Sequence, residues 1–461
     1  MQVREVEYAI VGVGTAGLGA YSRIRRKTDN LVLIQHGPYG TTCARVGCMP
    51  SKMLIAAADI AHEIDTGDFF GINGSYSVDG KRVFERLKKD RAERFVGGVL
   101  KTVEKIPAEY KLEGKAVFLD PHTLQVGDNL QVKAQKIILA CGSTPAFHGP
   151  FADIWDEVDS SDTIFELDDL PESIAVAGLG VIALELGQAF HRLGVKTTMF
   201  GHSGRIGGFQ NPDMQAETMT VLDKELNIVP RGEFVAARKT QDGFELKFER
   251  DTGEVVTHTC ERVLVASGRE SSLHRMNLHS SGLELDARGL PRYDPLTMRC
   301  GESHIYVAGD VTEDLPLWHE AYIEGRIAGD SALAPSGAKE GKRAVPLGIY
   351  YTDPQMANVG TPYNGLDKDE IVIGQVSMAE GSRHAIYNDD RGMLQIYAAK
   401  ADGRILGAEI FGRGAEHMAH TLALAIEYKA TVAGMLEMPF YHPCLEEVMK
   451  DALHHARKQL K

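Results

Sequence analysis

The sequence predicts an α/β protein that begins with two strand–turn–helix units of the same kind and ends in an α+β domain. Apolar, strand-like runs lead into glycine-rich turns near the N-terminus and again near residue 178, and helix-compatible sequence follows each turn. The chain has 461 residues, enough for about three domains at the usual ~100–200 residues each. The order of the elements therefore indicates two related units and a third domain of a different class.

The composition is that of a globular protein. Hydrophobic residues make up 43% and charged residues 25% of the chain, which are ordinary values. Asp and Glu outnumber Lys and Arg by 64 to 50, a net charge of −14, so we expect no general binding to nucleic acid or anionic lipid. The longest apolar candidate, residues 174–187, contains Glu185, which excludes a membrane span. No basic leader precedes a cleavable apolar stretch, so we expect a soluble, cytoplasmic protein.

The first glycine turn is Gly12-Val-Gly14-Thr-Ala-Gly17, which follows the strand-like residues 7–12 and opens a helix. In this context the first glycine permits a tight turn, the second lets the backbone approach a pyrophosphate, and the third lets helix and strand pack closely. The pyrophosphate would then meet N–H groups at the helix N-terminus. This turn is a candidate dinucleotide site.

A second turn repeats the arrangement at Gly178-Leu-Gly180-Val-Ile-Ala183, with alanine as the third small residue. A single match could be an incidental glycine turn, but two matches between a strand and a helix predict two Rossmann-like dinucleotide-binding domains. In residues 339–461, alternating apolar patterns over 345–411 predict a sheet, and 3.6-residue patterns over 414–430 and 446–457 predict helices. This last part is therefore predicted to be α+β.

Neither unit carries an acid at the end of its second strand, where many dinucleotide sites bind the adenosine ribose. The first unit has Gln35, which can hydrogen-bond to hydroxyls without the charge of a carboxylate. The second ends in Phe200-Gly201, with His202 and Arg205 just beyond. No acid there opposes a 2′-phosphate, so NAD and NADP both stay open.

Cys43 and Cys48 are the two of six cysteines that lie close together in the sequence. Residues five apart on a regular α-helix are separated by roughly 8–9 Å at Cα, whereas a disulfide needs about 4.4–6.8 Å. A disulfide therefore requires a break in the helix, which Gly47 and Pro50 favour. A zinc site needs four ligands, and no second clustered pair is present, so we expect no metal. The spacing alone leaves a redox disulfide, a zinc site and two unconnected thiols as alternatives.

The segment Gly40-Thr-Thr-Cys43-Ala-Arg-Val-Gly-Cys48-Met-Pro-Ser-Lys52 resembles the redox-active segment of the FAD-dependent pyridine nucleotide-disulfide oxidoreductases, the dihydrolipoamide dehydrogenases among them. The resemblance extends over nearly the whole chain. Further segments similar to family motifs are the second FAD signature Tyr306-Val-Ala-Gly309-Asp310, the crossover strands Ala140-Cys141-Gly142-Ser143 and Val265-Ala-Ser-Gly268-Arg269, the dimerisation-domain segment Tyr351-Thr-Asp-Pro354 and the C-terminal Tyr441-His442-Pro443-Cys444.

This resemblance implies the domain order and the cofactors. It implies an FAD-binding domain over residues 1–150, an NAD(P)-binding domain over 151–268, a central part over 269–338 that completes the FAD domain, and a C-terminal dimerisation domain over 339–461. FAD would be tightly bound and NAD would be the nucleotide, with NADP not excluded. The cofactor-binding residues would be Gly12, Gly14, Gly17, Gln35, Thr42, Lys52, Gly142 and Asp310 for FAD, and Gly178, Gly180, Ala183 and Gly268 for NAD(P).

The resemblance also implies the roles of the catalytic residues. Cys43 would be the interchange thiol and Cys48 the thiol next to the flavin. His442 would be the acid/base, oriented by Glu447, since a His fixed by a carboxylate can exchange a proton near neutral pH. In the family this His comes from the other subunit, which implies a homodimer.

Lys52 and Glu185 would form an ion pair near the flavin, by the same resemblance. The chain departs from the family pattern at Gln35, at Thr41-Thr42, where the family commonly has Gly then Thr, and where cysteine replaces threonine at positions 141 and 444. A small thiol in place of threonine favours a packing role for Cys141 and Cys444.

The function implied is oxidation of dihydrolipoamide by NAD, with a small dithiol or a lipoyl domain as the partner. One alternative is an NAD(P)H-dependent reductase of another small disulfide or persulfide. A second alternative is a flavoprotein that serves as a redox sensor or assembly subunit without turnover. Intact Cys43, Cys48 and His442 favour turnover.

Overall fold

Two units, each with sheets of its own, make up the part of the chain that the computed structural model describes, residues 2–460. The first unit contains residues 2–50, 86–146 and 269–344, and the second contains 51–85, 147–268 and 345–460. The predicted domain boundaries after residues 150, 268 and 338 stay predictions.

The strands, in chain order, are β1 (Gln2–Val11), β2 (Leu31–Gln35), β3 (Lys111–Glu113), β4 (Ala116–Asp120), β5 (Thr123–Val126), β6 (Leu130–Leu139), β7 (Ser143–Pro145), β8 (Asp159–Ser160), β9 (Ser173–Ala177), β10 (Lys196–Phe200), β11 (Asn227–Val229), β12 (Gly232–Thr240), β13 (Gly243–Arg250), β14 (Val255–Cys260), β15 (Arg262–Val265), β16 (Arg269–Ser271), β17 (Ile305–Val307), β18 (Leu347–Tyr350), β19 (Met356–Gly360), β20 (Ile371–Ser377), β21 (Met393–Ala399) and β22 (Ile405–Phe411).

The α-helices are α1 (Thr15–Ile24), α2 (Thr42–Val46), α3 (Cys48–Asp65), α4 (Gly80–Asp90), α5 (Gly97–Glu104), α6 (Val181–Arg192), α7 (Pro212–Leu222), α8 (Trp318–Leu333), α9 (Ser382–Ile386), α10 (Ala415–Glu427), α11 (Val432–Leu436) and α12 (Glu447–Gln459). None of the helices within residues 2–460 is long and apolar enough to cross a membrane.

The first unit is built on a sheet in the order β3-β2-β1-β6-β5-β4, with β17 also paired to β6. The last four residues of β1 are apolar without interruption because both faces of the strand are buried there: Ala9 and Val11 pack into one core, and Tyr8 and Ile10 into another. It pairs in parallel with β2 on one side and β6 on the other. The carboxyl end of β1 is therefore the switch point where such sheets bind ligands.

The second unit contains a parallel sheet in the order β11-β10-β9-β15-β8. Here β9 lies between β10 and β15, so its carboxyl end is a second switch point of the same kind. Strands β12, β13 and β14 form a separate antiparallel sheet. The two predicted dinucleotide-binding folds are confirmed.

The C-terminal part of the second unit is an antiparallel sheet in the order β18-β19-β22-β21-β20. One apolar core joins this sheet to α10, α11 and α12, with Ile396, Leu422 and Leu453 fully buried in it. The sheet and the two longer helices lie where the apolar periodicity predicted them. The α+β prediction is thus confirmed.

Candidate active site

The first glycine turn joins β1 to α1 and has the shape of a pyrophosphate cradle. Gly12 has φ +104°, and a Cβ there would clash with the carbonyl of Ala140. A Cβ at Gly17 would clash with the carbonyl of Gly12, whereas one at Gly14 would meet nothing within 4 Å. The turn therefore needs two glycines for packing and leaves open space at Gly14, which fits the close approach of a phosphate.

The second glycine turn, between β9 and α6, repeats this geometry. Gly178 has φ +125°, and a Cβ there would lie 2.5 Å from the carbonyl oxygen of Ala266. Gly180 faces open space, and Ala183 is fully buried in the first turn of α6. Gly268, with φ +134°, also has no atom within 4 Å of its missing Cβ. The residues present fit a second dinucleotide.

Gln35, the last residue of β2, uses its amide to hold the first glycine turn. Its Oε1 accepts a hydrogen bond from the Val13 N–H at 2.8 Å, and its Nε2 donates to the carbonyls of His36 and Pro38. Sequence reasoning assigned this amide to the ribose hydroxyls and did not anticipate the bond to Val13. Its contact with ribose stays a prediction.

Asp310 lies three residues after the end of β17 and is held by Ser143, which Arg269 holds in turn. Its Oδ2 accepts a hydrogen bond from the Ser143 hydroxyl at 3.0 Å. Arg269 donates from Nε to the Ser143 hydroxyl oxygen and from Nη2 to the Ser143 carbonyl, both at 2.9 Å. Gly142, at φ +74°, makes the turn that presents Ser143. Ser143 and Arg269 each lie in one of the two crossover motifs of the sequence. Membership in these motifs is the sequence feature that could have indicated their contact with Asp310.

Cys43 and Cys48 form a disulfide, which excludes two unconnected thiols. Helix α2 ends at Val46 and α3 begins at Cys48, with Gly47 between them at φ −126° and ψ −114°. This break brings the two Cα atoms to 4.7 Å. A Cβ at Gly47 would lie 3.2 Å from the Cys43 Cα, so a side chain there would crowd the bridge. The predicted interruption of the helix is confirmed.

The turn before the disulfide contains Thr41, which departs from the family pattern, and Thr42. Thr41 has φ +50°, and its hydroxyl oxygen accepts a hydrogen bond from the Ala44 N–H at 3.3 Å as the N-cap of α2. Thr42 is the first residue of that helix. Thr41 therefore helps to set the start of the helix that carries Cys43.

Lys52, on α3 four residues after Cys48, pairs with Glu185 on α6. The Lys52 Nζ lies 2.7 Å from the Glu185 Oε2 and 4.7 Å from the centre of the Tyr351 ring. Oε1 of Glu185 accepts the Tyr351 N–H at 2.8 Å, and the Glu185 side chain is only 4% exposed. The predicted ion pair is present, and Tyr351 is an additional member that sequence reasoning missed.

Glu447 is the first residue of α12, and His442 lies five residues before it. The His442 Nδ1 is 2.9 Å from Oε1 and 3.1 Å from Oε2 of Glu447. Oε2 also accepts the Cys444 N–H at 3.2 Å. The hydrogen bond from His442, with this backbone N–H, holds the pKa of the Glu447 carboxyl below its usual range. The pair has the geometry of an oriented acid/base.

The remaining cysteines are free thiols: Cys141, Cys260, Cys300 and Cys444. Burial raises the thiol pKa of Cys141 and Cys300 to about 12 and that of Cys260 to about 11. Burial, followed by nearby Glu446, raises the pKa of Cys444 as well. A protonated thiol is a poor nucleophile, so these four sulfurs fit packing roles. Across residues 2–460, no group of three or more His, Cys, Asp or Glu side chains is arranged to hold a metal ion.

The predicted residues are divided between the two units. Lys52, Glu185, His442 and Glu447, with the second glycine turn, belong to the second unit. The first unit contains the disulfide and most of the predicted FAD residues, namely Gly12, Gly14, Gly17, Gln35, Thr42, Gly142 and Asp310.

Two family models match the chain. Residues 6–325 match the pyridine nucleotide-disulphide oxidoreductases, and residues 347–453 match the dimerisation domain of the same family. A dihydrolipoyl dehydrogenase from Haloferax volcanii is 31% identical over 98% of this chain and 96% of its own length. A dihydrolipoyl dehydrogenase from Geobacillus stearothermophilus is 29% identical over 97% and 95%, and a mercuric reductase from Bacillus cereus is 28% identical over 97% and 71%.

Solved structures show the same fold at lower sequence identity. LpdA from Mycobacterium tuberculosis superposes with a TM-score of 0.82 at 20% identity, over 99% of this chain and all of that one. The flavoprotein disulfide reductase RclA from Escherichia coli has a TM-score of 0.79 at 20% identity, with the same coverage. The two family models and the dihydrolipoyl dehydrogenase relatives identify a homodimeric protein that uses FAD and NAD(P). The chain belongs to the pyridine nucleotide-disulphide oxidoreductase family and is a flavin-dependent disulfide oxidoreductase whose redox disulfide is Cys43–Cys48.

Proposed function

We propose that this enzyme oxidises dihydrolipoamide, free or on a lipoyl domain, and reduces NAD+ to NADH. The observation that carries the proposal is the Cys43–Cys48 disulfide at the start of α3. The two dihydrolipoyl dehydrogenases described above support the proposal, because the similarity covers nearly the full length of this chain and of each relative. FAD held at the first glycine turn would supply the chemistry that links the reduced cysteine pair to NAD+, a transfer of two electrons.

The cysteine pair accounts for the first half of the reaction. A thiolate of dihydrolipoamide attacks the Sγ of Cys43, the Cys43–Cys48 bond breaks, and Cys48 leaves as a thiolate. The second substrate sulfur then attacks the first, which releases oxidised lipoamide and leaves Cys43 reduced. The substrate loses two electrons and two protons, and the cysteine pair gains the electrons.

His442 serves as the base in this sequence. It takes the proton from the substrate thiol at Nε2, while Glu447 holds Nδ1 and stabilises the imidazolium. The 71% exposure of the His442 side chain leaves the ring accessible. The family resemblance supports the further proposal that His442 acts on the cysteine pair of the other subunit.

The two glycine turns account for the second half of the reaction, the transfer of electrons to NAD+. We assign Gly12, Gly14 and Gly17 to tightly bound FAD, with Gln35, Thr42, Gly142 and Asp310 along the same cofactor. Gly178, Gly180, Ala183 and Gly268 are assigned to the nicotinamide dinucleotide, and the Lys52–Glu185 pair to the flavin edge. The open space at the central glycine of each turn supports these assignments.

Anaerobic titration of the holoenzyme with NADH, and separately with NADPH, tests the proposal. NADH should produce a long-wavelength absorption band from a thiolate next to the oxidised flavin, and added lipoamide should discharge it. A band that lipoamide leaves unchanged would contradict the substrate assignment. Direct bleaching of the flavin without a band would contradict the role of the cysteines.

A second candidate function is NADPH-dependent reduction of a different small disulfide. It is favoured by the end of β10, where Phe200 and Gly201 stand in place of an acid. Arg231 lies against the same turn, since a Cβ at Gly204 would be 2.8 Å from its guanidinium nitrogens. A stronger response to NADPH than to NADH in the titration would favour this candidate.

A further inference from the structure

Helix α8 carries two buried carboxylates, Glu320 and Glu324, that play no part in the reaction described above. They are four residues apart and therefore share one face of the helix, and each side chain is only 1% exposed. The Nη2 atom of Arg343 lies 2.9 Å from the Glu320 Oε2 and 2.8 Å from the Glu324 Oε1. One guanidinium thus serves two carboxylates, and the His319 Nε2 also faces the group, 3.8 Å from the Glu320 Oε1. With a neutral imidazole at His319, the group has a surplus negative charge when both carboxylates are ionised.

Glu324 also holds the backbone of the Asp310 turn. Its Oε2 accepts the N–H of Gly309 at 2.7 Å, and this bond is fully buried. Gly309 has φ +80°, and Asp310 follows it and accepts the hydroxyl of Ser143. The orientation of the Asp310 carboxylate therefore depends on a peptide that Glu324 fixes.

The carboxylate pair is short of hydrogen-bond donors. Oε1 of Glu320, Oε1 of Glu324 and Nε of Arg343 are buried and form no aligned hydrogen bond within residues 2–460. Buried polar atoms without such a bond cost free energy. A proton on Glu324 removes the surplus charge, so this carboxylate has a geometric reason to exchange a proton.

The groups around Glu324 set the pH at which its carboxylate takes up a proton. Burial raises the pKa of Glu324 to about 7, and Glu320 and Asp314 act in the same direction. The Gly309 N–H and Arg343 oppose this shift of the pKa. The Tyr293 phenol, whose own pKa is raised mainly by burial, faces the same group.

We propose that Glu324 is a positioning residue for FAD, which holds the Gly309–Asp310 turn firmly as a carboxylate and loosens it on taking up a proton. The physical reason is that an ionised acceptor forms a stronger hydrogen bond to an N–H than a neutral carboxyl does. Arg343 favours the ionised form of Glu324, which holds the turn, and Glu320 favours the protonated form, which loosens it. The proposal rests on the family's use of FAD and not on the identity of the disulfide substrate.

The test measures the rate of FAD release from the holoenzyme by flavin fluorescence, between about pH 5.5 and about pH 8.5. In the wild-type protein release should accelerate as the pH falls through neutrality. Glu324→Gln should release FAD about tenfold faster than wild type at the alkaline end, the size of one charge-assisted hydrogen bond. Its rate should no longer change with pH in this range.

Two further variants distinguish proton control from simple loosening of the fold. Glu320→Gln removes the competing carboxylate, so the midpoint of the pH profile should move to lower pH. Arg343→Gln removes the guanidinium, so the midpoint should move to higher pH. Glu302→Gln, at a carboxylate that is 97% exposed, is the control and should leave the midpoint unchanged.

Opposite shifts of the midpoint in Glu320→Gln and Arg343→Gln would support the proposal even if Glu324→Gln failed to fold. An unchanged midpoint in both variants would overturn it, as would a wild-type pH profile in Glu324→Gln. None of these measurements involves dithiol turnover. The proposal for Glu324 can therefore fail while the lipoamide assignment stands, and the lipoamide assignment can fail while the proposal for Glu324 stands.

Discussion

The His442 Nδ1 lies 2.9 Å from the Glu447 Oε1, and the two residues are joined by residues 443–446, which precede α12. A bond at Nδ1 places the proton on that nitrogen and leaves Nε2 as the acceptor, which is the form a general base needs. The Cys444 N–H bonds to the same carboxylate. The backbone and the imidazole thus fix the orientation of Glu447 together.

His442→Ala should lower kcat by about 10²–10⁴-fold, the usual contribution of a positioned acid/base group. Glu447→Gln should lower kcat by a smaller factor, because the ring stays but loses its orienting charge. Steady-state kinetics with dihydrolipoamide measure both. Glu446→Gln is the matched control, since Glu446 makes no bond to His442 that the structure shows. Equal kcat values in all three variants would contradict the role of the pair.

The disulfide can be tested by counting thiols in the protein as purified. Denaturation without reductant should expose the four free cysteines, and prior reduction should raise the count to six. Cys43→Ser should abolish dithiol turnover while flavin stays bound. Cys260→Ala, at a buried thiol in the other unit, should keep turnover. A count of six before reduction would argue against the bridge.

Gly14 and Gly17 give a matched pair of substitutions in one turn. Gly14→Ala should leave the melting temperature of the apoprotein unchanged, because φ −84° suits alanine and nothing lies within 4 Å of the new methyl group. It should weaken FAD binding by about tenfold, which corresponds to about 1.4 kcal/mol. Gly17→Ala should instead destabilise the apoprotein by about 1–3 kcal/mol, because its methyl group meets the Gly12 carbonyl. Thermal unfolding and flavin fluorescence separate the two effects.

Lys52→Met removes the cation from a carboxylate that is only 4% exposed. Glu185 would keep one backbone donor, the Tyr351 N–H, so the loss of stability should be about 2 kcal/mol, below the range for a fully buried pair because Lys52 is partly exposed. Lys101→Met, on the exposed face of α5, is the control and should change the stability by less than about 0.5 kcal/mol. Chemical denaturation of the apoproteins measures both. An equal effect in the two variants would mean that the pair contributes nothing to stability.

The pKa of Glu324 predicts a pH dependence of stability with a defined sign. Burial raises this pKa from the ordinary 4.5 to about 7 in the folded protein, so the folded state holds the proton more tightly than the unfolded state. The stabilisation is complete below about pH 4.5 and is lost as the pH rises through about 7, by about 3 kcal/mol in total. Glu324→Gln should remove this decline, which shows as a difference between the two unfolding curves against pH. Parallel curves would contradict the shifted pKa.

Local sequence was informative wherever the chemistry depends on neighbours in the chain. The tight turn at Gly12 and the helix break at Gly47 follow from backbone geometry that few other residues tolerate, and the open approach at Gly14 follows from the absence of a side chain there. Alternating apolar positions predicted β18 to β22 for a different reason, because apolar side chains of these strands pack into the core that the sheet shares with α10, α11 and α12. The ion pair of Lys52 and Glu185 came from family resemblance, and no local spacing indicated it.

The sequence by itself determined the fold class, the two dinucleotide turns and the cysteine pair, since these depend on the conformations of residues that are adjacent or one turn apart. Only the tertiary structure decided which distant groups meet. Ser143 and Asp310 are 167 positions apart, and Lys52 and Glu185 are 133 apart. The bond from Gly309 to Glu324 likewise depends on how α8 packs beneath the turn. Such contacts arise from the packing of whole elements, and many packings are compatible with the same local pattern of apolar and polar residues.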